Sequence, residues 1–249
     1  MSEAGPVDAY AREVARRVRD VLGDRLVGVW LVGSLALGDF QPGRSDIDIQ
    51  AVATGPVPLA QRRQLAERLA HDALPVPARG LEFVLYARPG LTLPGGPRFS
   101  LNLNTGPGMD PHVAFDADDD PGFWFTIDVD IARSTAVPLT GPPAGEVFPT
   151  LPRGEVAAAV LEGLDWWTTH SGTPTQTLLS ACRSWAWATD GRWRSKSDSA
   201  RWARPCLADP AGVDAALRLR AGEAGEPPTP ADAAVVVAEA RSALRAAIG

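Results

Sequence analysis

Two aspartates, Asp46 and Asp48, stand two residues apart in the run Ser45-Asp46-Ile47-Asp48-Ile49-Gln50-Ala51-Val52, which alternates polar and apolar. On a strand that period puts both carboxylates on one face. Hard oxygens grouped this way suit Mg²⁺, which commonly takes one or two carboxylates together with substrate phosphates. Twelve residues before Asp46, the apolar run Leu26–Val32 ends at Gly33-Ser34. A glycine there lets backbone N–H groups approach a ligand closely, and Ser34 adds a hydroxyl. The residues that follow could open a helix whose first turn favours phosphate. Gly38 and Gly43 make the intervening loop pliable, and Arg44 and Ser45 sit at the entrance of the second strand. A third acid, Glu82, lies in Gly80-Leu81-Glu82-Phe83-Val84-Leu85-Tyr86, among apolar neighbours where a buried carboxylate without a partner is expensive. Gly-Ser after a strand is often only a turn, and Asp-x-Asp often only a solvent-facing edge. Together, three acids on neighbouring strands beside a Gly-Ser turn describe a metal and proton-transfer site.

Positioning these residues requires a sheet with helices packed on it. Tyr10, Val14, Val18, Val21 and Leu22 keep a helical stripe over residues 7–22. Strands are expected at Leu26–Val32, 46–52, 81–86 and 99–103, and helices at 58–73 and 123–133. That order describes a small mixed sheet rather than an alternating doubly wound fold. The stretch Val137–Gly145 is rich in Pro and Gly and reads as a linker, so a domain boundary is expected near 150. Beyond it the chain is helical throughout, with segments at 154–169, 174–189, 198–205, 210–221 and 229–248. The expected class is α+β: an N-terminal domain (1–150) with a small mixed β-sheet and a C-terminal all-α helical bundle domain (151–249). Six of the eight tryptophans fall after residue 150. A helical-bundle core accounts for such stripes without any ligand.

The chain has 249 residues, 45% hydrophobic and 22% charged, which excludes wholesale disorder. Its formal net charge of -6 disfavours binding to nucleic acid, which needs Lys and Arg against phosphates, and suits a cationic small-molecule partner better. Cys182 and Cys206 are the only cysteines, too few for a disulfide framework or a cysteine zinc site. The start, Met1 to Pro6, lacks the regions of a secretory signal, and no run approaches the ~18 apolar residues of a membrane span. A cytoplasmic protein is the resulting expectation. Lys196 is the only lysine.

Gly33-Ser34, the Gly38-Asp39-Phe40 turn and Ser45-Asp46-Ile47-Asp48 resemble the signature of the polymerase-β-like nucleotidyltransferase superfamily. The similarity extends to the aminoglycoside (3'')(9) adenylyltransferase family, whose members inactivate streptomycin and spectinomycin. Its helical C-terminal domain resembles residues 150–249 here, including Arg183-Ser184-Trp185, Asp190-Gly191-Arg192 and Lys196. The resemblance implies that Asp46 and Asp48 hold Mg²⁺ on the phosphates of the co-substrate ATP, and that Gly33 and Ser34 grip the β- and γ-phosphates. Glu82 takes the place of the base that deprotonates the drug hydroxyl. Arg183 and Lys196 would serve the triphosphate from the helical domain. Trp167 falls near the position of an aromatic that stacks on streptomycin, and Trp124 stands for the family's N-terminal drug-contacting tryptophan. A monomer is implied.

The second substrate would then be polycationic. Phe99 to Ala132 carries seven aspartates and neither Lys nor Arg. Asp116–Asp120 reads either as a wall for an amine-bearing drug or as a solvated acidic loop. Trp167 reads equally as bundle core. The Thr168–Thr177 loop has no Asp or Glu where the family uses acids against the drug, which suits spectinomycin better than streptomycin. Two other readings keep part of the pattern: transfer to a protein or RNA acceptor, or a non-catalytic nucleotide- or drug-binding relative.

Overall fold

The computed structural model describes residues 5–170 and 173–249. The first four residues of the N-terminal reading, and residues 171 and 172 of the Thr168–Thr177 loop, lie outside them. The chain forms two compact units that divide between Thr150 and Leu151.

In the first unit, α1 (Pro6–Leu22) buries Tyr10, Val14, Val18, Val21 and Leu22, the stripe expected from the sequence. Strands β1 (Leu26–Leu31), β2 (Ile47–Ala53), β3 (Leu81–Ala87), β4 (Phe99–Thr105), β5 (His112–Ala114) and β6 (Val137–Thr140) build one sheet in the order β5-β4-β3-β2-β1-β6. Between β1 and β2 lies a single helical turn, α2 (Gly33–Ala36), and α3 (Leu59–Leu69) carries the crossover from β2 to β3. Those two strands are parallel and the other pairs antiparallel, so the sheet is mixed. The fold class is α+β, as the element order implies.

Two expectations about this unit need correction. Residues 137–140 are not linker but the edge strand β6, with Val137 opposite Leu31 and Pro138 opposite Trp30. Proline is tolerated there because an edge strand leaves one row of N–H groups unpaired in any case. The third helix also stops short of residue 73, at Leu69, where Ala70 turns extended.

Period-two alternation divides the sheet into two unlike faces. Ile47, Ile49, Ala51, Leu81, Phe83, Leu85, Leu101 and Leu103 point to one side and form a single buried core with the stripe of α1 and with Leu65 and Leu69 of α3. The other side is covered over only part of its length by α4 (Gly122–Thr135). There Phe125 lies 4.5 Å from Phe99, ring to ring, and Gln50 Nε2 donates to the Asp128 carbonyl at 3.5 Å. Tyr86 is fully buried beneath this cover, and burial, with the charge of Asp128, pushes its phenol well above the usual range. The apolar face must be dry because burial of its side chains supplies most of the driving force. What remains of the other face is where polar residues can work.

The second unit is helical: α5 (Arg153–His170), α6 (Pro174–Asp190), α7 (Lys196–Ala203), α8 (Ala211–Arg220) and α9 (Pro230–Ile248). The central α6 buries Leu178, Leu179, Cys182, Ala186 and Trp187, and packs chiefly on α9, α7 and α5. Burial pushes the Cys182 thiol up to about 12, so it is an inert core group. Thr229 opens α9 with a reciprocal capping box to Asp232, followed by Pro230 at the first helical position. Among the described residues, no helix is long and apolar enough to cross a membrane.

Candidate active site

Strand register decides whether the three acids meet. On the parallel pair, Asp48 lies opposite Glu82. Adjacent strands are about 4.8 Å apart, and paired residues project to the same face, so the two carboxylates are neighbours. Asp46 immediately precedes β2 and adds a carboxylate two residues along. The row continues outward, with Asn104 opposite Glu82 and His112 opposite Asn104. This is the end of the face that α4 leaves uncovered. Glu82 is exposed between the fully buried Leu81 and Phe83, so the cost of burying a lone carboxylate does not arise.

The Gly33-Ser34 turn is bound to the same place. Val32 N–H donates to the Asp48 carbonyl at 3.0 Å, which brings the end of β1 against the start of β2. Gly33 has φ +62°, and a Cβ built on it would stand 1.9 Å from Asp48 Oδ2. Glycine is therefore required twice, by backbone geometry and by the carboxylate it touches. Ser34 Oγ is buried with no hydrogen-bond partner among the described residues. A buried hydroxyl left unsatisfied in the protein alone is one that a ligand can satisfy. The phosphate-favouring helix expected after it is only the four-residue α2, so the grip belongs to the turn and the hydroxyl rather than to a helix dipole.

Gly33→Ala should destabilise the protein by about 1–3 kcal/mol, the sum of left-handed strain and displacement of Asp48. Gly38→Ala provides the comparison, because Gly38 has φ +67° but open space around its Cβ position. Urea unfolding of the two variants should separate them, and equal losses would remove the Asp48 contact from the explanation.

Among the described residues, no group of three or more His, Cys, Asp or Glu gathers to hold a metal unaided. The aspartate pair with the buried Ser34 hydroxyl nonetheless fits Mg²⁺, which rarely takes an all-protein cage and completes its shell with phosphate and water. Sequence reasoning overlooked one charged group here. Arg79 Nη1 lies 2.7 Å from Asp46 Oδ2. It also overlooked Asn102 and Asn104, whose alternation with Leu101 and Leu103 was the available signal. Asn102 Nδ2 donates to Asp120 Oδ2 at 3.0 Å, and the same carboxylate meets His112 Nε2 at 3.0–3.1 Å.

The other expected residues are distributed as follows. In the acidic run, Arg98 pairs with Asp118 at 2.7 Å and Asp116 at 3.6 Å, and holds the Asp118 carboxyl below its usual range. Arg98, the residue just before that run, thus compensates two of its seven aspartates. Trp124 stands half-buried in the first turn of α4, its ring 4.7 Å from Phe123. In the helical unit, Lys196 Nζ lies 5.5 Å from the Trp167 ring centre and the Arg183 guanidinium 6.0 Å from that of Trp193. Both are cation–π distances. Trp187 and Trp193 are buried and stacked at 5.3 Å, as a bundle core requires. Trp166, Trp167, Trp185 and Trp202 are only half-buried. Gly191, inside the Asp190-Gly191-Arg192 segment, ends α6 in a left-handed conformation. The same segment pairs Asp190 with Arg194, which lowers the Asp190 carboxyl.

A Gly-Ser turn touching Asp48, the second of two aspartates at the start of a strand in a mixed sheet, is an arrangement that suits a nucleotidyltransferase. The family model for the nucleotidyltransferase domain matches residues 11–79. The family model for the C-terminal domain of aminoglycoside adenylyltransferases matches residues 146–245, and the two matches together support an aminoglycoside adenylyltransferase. A spectinomycin 9-adenylyltransferase of Staphylococcus aureus is 25% identical over 223 residues, covering 82% of this chain and 80% of the relative. A crystal structure of a spectinomycin adenyltransferase from Enterococcus faecialis, with ATP and spectinomycin, shares the fold. Its TM-score is 0.70 at 16% identity, over 95% of this chain and 98% of that one.

Proposed function

We propose that this protein transfers AMP from Mg²⁺-ATP to a hydroxyl of an aminocyclitol or aminoglycoside, with spectinomycin the favoured acceptor. The observation that carries the reading is the register of β2 and β3, which sets Glu82 beside Asp48 while leaving Glu82 exposed. A base must reach its proton, and an exposed carboxylate next to a metal-binding one is placed to do so. Spectinomycin is favoured by the names of the relatives and by the absence of acids from Thr168–Thr177, the end of α5, the start of α6 and the residues between them.

In this reading residues 1–150 form the nucleotidyltransferase domain and 151–249 the helical domain that contacts substrate. Asp46 and Asp48 hold Mg²⁺, which when bound neutralises phosphate charge and polarises the transferring phosphoryl group. Gly33 and Ser34 bind the β- and γ-phosphates through the open turn and the buried hydroxyl. Glu82 accepts the proton of the acceptor O–H as that oxygen forms a bond to the α-phosphorus. The bond from the α-phosphorus to its bridging oxygen breaks in line, and pyrophosphate leaves with the electron pair. Arg183 and Lys196 serve the triphosphate, with the indoles of Trp193 and Trp167 beside them at cation–π distance. Trp167 and Trp124 are the candidates for contact with the acceptor. A single chain carries every residue named, so a monomer suffices, and no step calls on nucleic acid.

The test is pyrophosphate release from Mg²⁺-ATP with spectinomycin, streptomycin and kanamycin offered separately. Release that requires spectinomycin is the expected result. Silence with all three, in a protein that still binds ATP, would overturn the acceptor and direct attention to protein substrates.

A further inference from the structure

Arg79 contacts a residue of the site although nothing in the nucleotidyltransferase pattern accounts for it. Its guanidinium meets Asp46 Oδ2 at 2.7 Å, with the Asp46 side chain 16% exposed and that of Arg79 44% exposed. The backbone beneath it is held from two sides. Arg79 N–H donates to the Ser45 carbonyl at 3.3 Å, Ile47 N–H to the Gly80 carbonyl at 2.8 Å, and Gly108 N–H to the Arg79 carbonyl at 2.8 Å. A Cβ at Gly108 would come within 2.7 Å of Arg79 Cγ, so the loop after β4 has been left bare where the arginine stem passes. The fold thus anchors the base of this side chain and leaves its tip partly in water.

A guanidinium and a hard divalent cation compete for the same carboxylate lone pairs. Without an ion, Asp46, Asp48 and Glu82 bring like charges onto one strand face, which is unfavourable unless a cation is near. We propose that Arg79 is a tethered counter-ion that occupies Asp46 Oδ2 in the metal-free protein and must release it for the divalent ion to bind. It thereby sets the affinity of the metal site. Arg79 is a positioning residue in this scheme, since it acts through Asp46. Its exposed tip can move into solvent at little cost, so the contact tunes the site rather than closing it. The inference rests on the assignment of Asp46 to the metal.

Binding of Mn²⁺ to the full chain without nucleotide, followed by loss of the electron-spin-resonance signal of the free ion, gives a readout independent of catalysis. Arg79→Gln should bind Mn²⁺ about fivefold more tightly than wild type, the equivalent of one half-exposed ion pair. Arg79→Lys, which keeps the charge, should stay near wild type. Thermal unfolding provides the second measurement. Arg79→Gln should melt lower than wild type in a chelator, and Mg²⁺ should close that gap as the ion replaces the lost cation. Equal or weaker Mn²⁺ binding by Arg79→Gln, or a melting gap that Mg²⁺ leaves unchanged, would reduce Arg79 to a structural ion pair and overturn the proposal. If Asp46→Asn binds Mn²⁺ as well as wild type does, the metal assignment itself fails and takes this inference with it.

Discussion

Glu82→Gln should lower acceptor-dependent pyrophosphate release by about 10²–10⁴-fold, the usual contribution of a positioned general base. ATP affinity should be nearly unchanged. The two expectations separate because Gln is close to Glu in shape but cannot take a proton at neutral pH. Glu82 is exposed, and its neighbours Leu81 and Phe83 point to the opposite, buried face. The substitution therefore leaves no hole and strands no buried charge, and folding stability should move by only a few tenths of a kcal/mol, as at other surface positions. Steady-state pyrophosphate release beside an ATP titration measures both quantities. An active Glu82→Gln enzyme would remove this residue from proton transfer.

Asp46→Asn should fail at an earlier step. An amide offers a weaker, neutral ligand where a carboxylate is required, so Mg²⁺-ATP should bind about 10²-fold more weakly, roughly 3 kcal/mol for one largely buried charge. The loss should be far smaller for ATP measured with excess chelator, because that affinity does not pass through the ion. The fold tolerates the change well. Arg79 loses its partner but is 44% exposed and can turn to solvent, at a cost of at most about 1 kcal/mol. Calorimetric titration with and without Mg²⁺ would separate the two affinities. Equal weakening under both conditions would mean that Asp46 shapes the pocket and does not bind metal.

The contrast between these variants reflects two kinds of information. Asp46 and Asp48 could be read as same-face carboxylates because strand alternation is a local property of a few residues. The stripe of α1 is legible for the same reason: it depends on neighbours within about four positions. Edge strand β6 was not legible, because a Pro/Gly-rich run becomes a strand only when β1 offers it an unpaired edge. The three-residue β5 is too short to carry a period, and with it the His112–Asp120–Asn102 cluster was hidden. Six tryptophans in a helical region suggested a core, but only packing separates the buried Trp187 and Trp193 from the half-buried remainder.

By itself the sequence determined the chemical vocabulary of this protein: a Gly-Ser turn, two aspartates on one strand face, a glutamate on another strand, and a helical second half. Tertiary structure decided what those words are set beside. The pairing of β2 with β3 put Glu82 opposite Asp48, and a slip of one residue would have turned Glu82 toward the hydrophobic core. The same pairing delivered Arg79 to Asp46 from 33 positions away. Periodicity is written along the chain, but register is chosen between segments by the burial of whole faces, and that choice exists only once the sheet has formed.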